Sequence, residues 1–308
     1  RAFGRTAAAA PSHARRVALA NLRLAYGSEL SEEARRERLR RSFESFALAL
    51  LDAVWFGGGP PDRLRRYIRH DAAFLERVRG GRAHVLLTAH LGEWEVLGQA
   101  VAAEGVRLMS VAAPLANPAV DRIFAELRRA SGQMIIPQRG AMLRLLRHLK
   151  GGGQVAMLLD QNVKPEEGGV FVPFFGLPVP VSRAAAALAL RMRAPILSAF
   201  MFAEPDGTCR VVSGEAIEPE DFPPGENDEA VVCLTTEIAA LCERAVRRWP
   251  DAWLWSYKRW KHVPPGVPRE RYPFYAKPWR PTEPDPKWTK HGVPTVSSLG
   301  TAPEGKPP

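Results

Sequence analysis

Short apolar runs alternate with amphipathic stretches from about residue 84 onward. His84 to Ala89, Arg107 to Ala112, Gln133 to Ile136 and Gln154 to Leu159 read as strands. Between them, Glu93 to Ala103, a stretch opened by Asn117-Pro118, and Ala141 to Lys150 space their apolar residues as helices do. Asn is a favoured cap and Pro a favoured first helical residue, so Asn117-Pro118 marks a helix start in its own right. A helix from Ala184 to Arg193, strands at Pro195 to Phe202 and Cys209 to Ser213, and a helix from Asp228 to Arg248 continue the alternation. The pattern predicts an α/β fold with a largely parallel central sheet flanked by helices. Upstream, Ser31 with Glu32 and Glu33 reads as a cap followed by first-turn acids. Leu39, Phe43, Phe46, Ala47, Leu50 and Val54 then recur at helical spacing until Gly57 to Gly59 and Pro60 end the run.

The pattern gives out after about Ala276. Pro278, Pro281, Pro284, Pro286 and Pro294 sit among charged and small residues, so 276–308 is expected to be a disordered tail. With 46% of 308 residues hydrophobic, the remaining length is ample for one large core. No apolar run reaches the ~18 residues that cross a bilayer; Phe46 to Phe56 comes nearest and contains Asp52. The chain begins at Arg1 rather than Met, and 1–14 reads as the remnant of an N-terminal region whose membrane anchor lies upstream. Residues 15–275 form the expected catalytic domain. Lys plus Arg number 43 against 33 for Asp plus Glu. That excess suits an anionic partner such as a membrane surface, a nucleic acid or an acidic carrier protein; a GC-rich genome, which places Arg throughout a chain, accounts for it equally well. The three cysteines, Cys209, Cys233 and Cys242, form no CxxC pair, which argues against a disulfide framework or zinc site and fits a reducing compartment.

The segment Val85-Leu-Leu-Thr-Ala-His90-Leu-Gly-Glu-Trp94-Glu95 carries the candidate chemistry. An apolar strand ends in His90, a glycine permits a tight turn, and a helix begins. Ligand sites of open α/β sheets lie beyond the carboxyl ends of the strands, where His90 stands. Glu95 follows one helical turn later, and a carboxylate that orients a histidine makes it a general base. The nucleophile need not belong to the protein, because a substrate hydroxyl can stand in for the serine of a triad. His-x4-Glu spacing also arises by chance, and a strand-end histidine often does no more than bond a backbone carbonyl. Glu93, the nearer acid, is expected to face solvent in the first turn, where the helix dipole favours it.

Ala89-His-Leu-Gly-Glu-Trp-Glu95 resembles the His-x4-Asp/Glu motif of glycerolipid acyltransferases, in the Trp-containing form of the bacterial lipid A lauroyl and myristoyl transferases. Arg16-Val-Ala-Leu-Ala-Asn-Leu-Arg-Leu-Ala-Tyr26 is similar to that family's opening segment. Asn117-Pro118 with Arg128 and Gly132, and Leu149-Lys-Gly with Leu158-Leu-Asp160-Gln161, resemble its next two blocks. Val172-Pro-Phe-Phe-Gly176 and Trp253-Leu-Trp-Ser-Tyr-Lys-Arg-Trp260 resemble its last two. Several weak motifs in the right order are jointly specific. The resemblance implies transfer of an acyl group from acyl carrier protein or acyl-CoA to a lipid hydroxyl. His90 would take the proton and Glu95 would hold the imidazole, without metal, cofactor or covalent acyl-enzyme. It implies a lipid A precursor as acceptor and the cytoplasmic face of a bacterial inner membrane as the setting. A mannosylated phosphatidylinositol or a lysophospholipid are alternative acceptors, and a thioesterase or a non-catalytic membrane-binding protein are alternative activities.

Arg128 matches the family's substrate-positioning arginine and has the geometry to clamp a phosphate; a solvated helix charge beside Arg122 and Arg129 is the competing reading. Arg139 is a second phosphate candidate. Asp160 and Gln161 end an apolar strand, so Asp160 needs partners. An organising role is expected for it, with Arg128 as partner. Phe171, Phe174 and Phe175 are candidates for an acyl channel, although such aromatics are commonly plain core. Trp249, Trp253, Trp255 and Trp260 among Lys258, Arg259 and Lys261 suit a membrane interface, with Trp253 and Trp255 expected in the core. No nucleic-acid module accompanies them, and nucleic acid is not expected as a partner.

Overall fold

A computed structural model describes residues 2–59, 62–114, 117–138, 140–223 and 228–280. Three helices open the chain: α1 (Ala2–Ala9), α2 (His13–Tyr26) and the long α3 (Glu32–Gly57). Ser31 caps α3 by accepting the Ala34 amide, as Ser-Glu-Glu leads one to expect. α1 falls within the segment read as a remnant, yet it lies against α3, with Gly4 at the Glu44 backbone and Arg5 donating to Glu44. The alternating region follows: α4 (Asp62–Tyr67), β1 (Ile68–Arg69), α5 (Ala72–Arg79), β2 (Val85–Thr88), α6 (Trp94–Ala103), β3 (Leu108–Ala112), α7 (Pro118–Ala130), β4 (Met134–Pro137), α8 (Ala141–Lys150) and β5 (Gln154–Leu158). A hairpin of β6 (Gly169–Phe174) and β7 (Leu177–Ser182) interrupts it before α9 (Ala184–Met192), β8 (Ile196–Ala203), β9 (Cys209–Ile217) and α10 (Asp228–Arg248). Two short strands, β10 (His262–Val263) and β11 (Lys277–Pro278), pair after it. The expected tail therefore contributes β11, and residues 281–308 of it lie outside the described residues.

Seven strands form the central sheet in the order β1-β9-β8-β2-β5-β3-β4. All neighbours are parallel except β8 with β9. Successive side chains on a strand point to opposite faces, and the two cores follow from that. Val85, Leu87, Val155 and Ile196 join one hydrophobic cluster with α2, α8, α9, α10 and the β6–β7 hairpin. Leu86, Leu197, Ala199 and Met201 join the other with residues of α3 to α7. Asn117 caps α7 as expected, accepting from the Ala119 and Val120 amides.

The hairpin was not legible as one. Its turn places Phe175 and Gly176 at φ 48° and 72°, the two-residue geometry that matches strand twist. Among the described residues no helix is long and apolar enough to cross a membrane.

Candidate active site

β2 and β5 are parallel neighbours with Thr88 opposite Leu158. Two residues further along each strand, the chains end side by side in His90 and Asp160. The imidazole Nδ1 and Asp160 Oδ1 are 2.8 Å apart. Asp160 Oδ2 accepts the His90 backbone amide at 2.9 Å and the Trp253 indole N–H at 2.8 Å. A carboxylate with three donors around it stays ionised, takes Nδ1–H as its third bond and leaves Nε2 as the basic nitrogen.

The electrostatics agree. Burial, the largest influence on Asp160, would raise its pKa, but the charge and hydrogen bond of His90 and the Trp253 and backbone donors hold it down at about 2. For His90, burial is again largest and lowers the pKa. The Asp160 charge and hydrogen bond, with the Glu95 charge adding, outweigh it and leave the imidazole more basic than usual. The ring keeps 18% of its side-chain surface open while Asp160 keeps 3%. One face of the imidazole is thus available and its orienter is sealed.

The turn after β2 depends on Gly92. Its φ is 63° and a Cβ there would sit 2.1 Å from the Met201 carbonyl oxygen, so a side chain has no room. The Glu93 amide donates to that same oxygen at 2.7 Å, which fixes where α6 begins. The closing segment pins the other side: Gly92 N donates to Ala252 O and Leu254 N to His90 O, at 3.0 and 3.1 Å. Asn21 of α2 in turn donates to the Trp255 and Tyr257 carbonyls at 2.7 and 2.8 Å. The first and last motifs of the sequence meet here, behind the histidine.

Several expectations change. Glu95 does not hold the imidazole; Arg128 Nε and Nη2 donate to its two oxygens at 2.5 and 2.8 Å. Glu95 projects from the first turn of α6 towards α7, whereas Asp160 is already at Nδ1. Arg128 is accordingly the partner of Glu95 and not of Asp160, and its fork leaves the Nη1 hydrogens unused by Glu95. Glu93 is buried, 1% exposed, instead of facing solvent. Two residues apart on a helix end are nearly opposite in direction, so with Glu95 facing the cavity Glu93 turns into the core. Burial first and the Asp52 charge second push its carboxyl up to about 8, and its Oε2 finds no partner. Arg139 lies outside the described residues.

A cavity of about 630 Å³ opens beside the pair. His90, Glu95, Arg128 and Gln161 line its polar part; Leu86, Leu97, Val101, Leu108, Phe124 and Ala199 line its apolar part. It lies on the α3–α6–α7 side of the sheet. Phe171, Phe174 and Phe175, the expected channel, line none of it. Phe174 and Phe175 pack with Trp253, Trp255 and Trp260 on the opposite side, and Phe171 contacts Trp279. Trp253 and Trp255 lie in the core as expected, but Trp249 and Trp260 do not form a membrane-facing belt. Trp253, Trp255 and Trp260 are at most 1% exposed, as is Arg259, and Trp249 packs on Phe200 and Phe202. Two roles were not foreseen from the sequence: the Trp253 indole as a donor to Asp160, and the apolar residues of α6 and α7 as the cavity wall. Two neighbouring apolar strands each ending in a polar residue were the signal for the His90–Asp160 pair, but strand adjacency is not written in one sequence.

Residues 1–262 match the family model described as bacterial lipid A biosynthesis acyltransferase. The chain is similar to the lipid A biosynthesis lauroyltransferase of Escherichia coli (strain K12), 24% identical over 80% of this chain and 79% of that protein. It is similar to the lipid A biosynthesis palmitoleoyltransferase of the same organism, 26% identical over 81% and 79%. Among solved structures, it matches the 1-acyl-sn-glycerophosphate acyltransferase of Thermotoga maritima at 15% identity and TM-score 0.36, over 76% of this chain and 96% of that one.

Proposed function

This chain belongs to the bacterial lipid A biosynthesis acyltransferase family, and we propose that it moves a fatty acyl group from a thioester of acyl carrier protein or coenzyme A to a hydroxyl of a lipid A precursor. His90 Nε2 takes the hydroxyl proton as that oxygen attacks the thioester carbonyl. A C–O bond forms, the tetrahedral intermediate collapses, and the C–S bond breaks. The thiolate leaves with the proton that His90 returns, giving an ester and a free thiol. Asp160 stays ionised throughout, holds the reactive tautomer and stabilises the imidazolium.

The observation that carries this reading is the His90–Asp160 pair, with His90 lining an apolar cavity. A cavity of 630 Å³ is in the range of sites for drug-sized ligands, and its wall suits an acyl chain. Arg128 is held in place by Glu95 and offers its remaining N–H groups to an anionic part of donor or acceptor, and Gln161 lines the same cavity. The reading sets the enzyme at the cytoplasmic face of the inner membrane, where a soluble donor meets a lipid acceptor.

The test is transfer of labelled acyl from carrier protein or CoA thioester to a lipid A precursor in mixed micelles. Turnover should need the lipid and should fall at least about a hundredfold in His90→Ala. Equal thioester loss with and without acceptor would make the protein a thioesterase, and a folded His90→Ala variant with normal turnover would refute the assignment.

A further inference from the structure

The helices that wall the cavity also carry an apolar surface on their outer side. On α3, Leu50, Leu51, Val54 and Trp55 are 38%, 59%, 48% and 42% exposed, and on α7, Val120 and Ile123 are 39% and 48% exposed. The two helices touch, since a Cβ on Gly57 would lie 2.8 Å from Leu127 Cβ. Leu50, Val54 and Val120 also line the cavity, so the apolar face and the cavity mouth share an edge. Scattered exposed leucines need no explanation; a contiguous set at the rim of a site does.

The chemistry around this face narrows its occupant. Trp55 stands edge-on to Phe56 and Tyr67, at ring distances of 4.7 and 5.2 Å, and the Arg63 guanidinium lies 4.4 Å above it. Arg65 and Arg66 are exposed on the next turn of α4, Arg66 5.5 Å from the Tyr67 ring. On α7, Arg122 and Arg129 are exposed near Ile123. Aromatic rings backed by cations, beside aliphatic side chains, fit the headgroup boundary of a bilayer, where phosphates meet arginines and acyl chains take the aliphatics.

We propose that the α3–α7 face beds on the surface of an anionic lipid bilayer, so that the cavity opens into the membrane and an acyl chain enters it without crossing water. This rests on the acyl-transfer reading only for what the cavity holds; the docking itself stands on the face.

Leu51 and Ile123 do not line the cavity, which makes Leu51→Glu/Ile123→Glu the informative variant. Binding of the protein to phosphatidylglycerol–phosphatidylcholine vesicles and to pure phosphatidylcholine vesicles would be measured by co-sedimentation, with turnover in detergent micelles and melting temperature alongside. Wild type should bind the anionic vesicles more tightly than the neutral ones. The variant should bind them at least about tenfold more weakly, with micellar turnover and melting unchanged. Quenching of tryptophan fluorescence by brominated phospholipid should largely disappear in Trp55→Phe. Unaltered vesicle binding by the double variant, failure of the wild type to bind anionic vesicles, or a change from oligomer to monomer in the variant without loss of binding would overturn the proposal. If wild type binds vesicles through this face but transfers nothing in micelles, docking holds and the acyl-transfer reading fails.

Discussion

Asp160→Asn tests the carboxylate found at the imidazole against Glu95, the one the sequence led us to expect there. Asparagine keeps the shape, and its oxygen can replace Oδ2 as acceptor of the His90 amide and the Trp253 indole. Its NH₂ then takes the place of Oδ1, 2.8 Å from Nδ1. A donor there forces Nδ1 to accept, which puts the ring proton on Nε2 and removes the base. The variant also loses the charge that stabilises the imidazolium, an interaction of up to about 4 kcal/mol for contacting charges at an effective dielectric of 20. At 1.36 kcal/mol per decade that is about three orders of magnitude in kcat, and the tautomer adds to it. The acid limb of kcat/KM should move to lower pH as well, because Asp160 is what raises the His90 pKa against burial. Glu95→Gln leaves this pair intact and should cost at least about tenfold less in kcat. The assay is the pH profile of acyl transfer for wild type and both variants, with melting curves to exclude misfolding. If Asp160→Asn turns over near the wild-type rate, or if Glu95→Gln is the more damaging, Asp160 is not the orienter.

Other consequences are independent of that comparison. The Glu93 carboxyl, pushed up to about 8 by burial and Asp52, binds a proton in the folded state that the unfolded chain releases near pH 4.5. Stability should therefore fall as pH rises from about 4.5 to about 8, by a few kcal/mol at most, and Glu93→Gln should flatten that slope in urea unfolding; parallel wild-type and variant curves would remove the buried acid from the account. Val101→Phe narrows the cavity wall and should shift donor preference towards shorter acyl chains in competition assays with mixed thioesters. Phe174 is fully buried on the other side of the sheet; Phe174→Ala should cost about 3–5 kcal/mol in denaturant unfolding and leave chain-length preference unchanged.

Local signals carried far. The strands and helices of the central sheet from residue 84 onward, the Ser31 and Asn117 caps, and His90 at a strand's carboxyl end were legible, because periodicity, capping and turn chemistry act over a few residues; the β6–β7 hairpin was not. The ordered blocks pointed to the family for the same reason: each is a short, local pattern. What a single sequence does not carry is which strands lie side by side and which way a side chain turns at a helix start. The adjacency of β2 and β5 put Asp160, seventy residues away, on the imidazole that the nearer Glu95 was expected to hold. The turn at Gly92 and the start of α6 at Trp94 turned Glu93 inward and Glu95 towards Arg128. Sheet topology then chose the face of the core that stays open. Phe174, Phe175 and the closing tryptophans fill the α9–α10 side, and the space beside His90 lies under α3, α6 and α7. Chemistry at this site is written locally in His90, but its partner, its cavity and its outward face come from long-range packing, which short-range patterns do not encode.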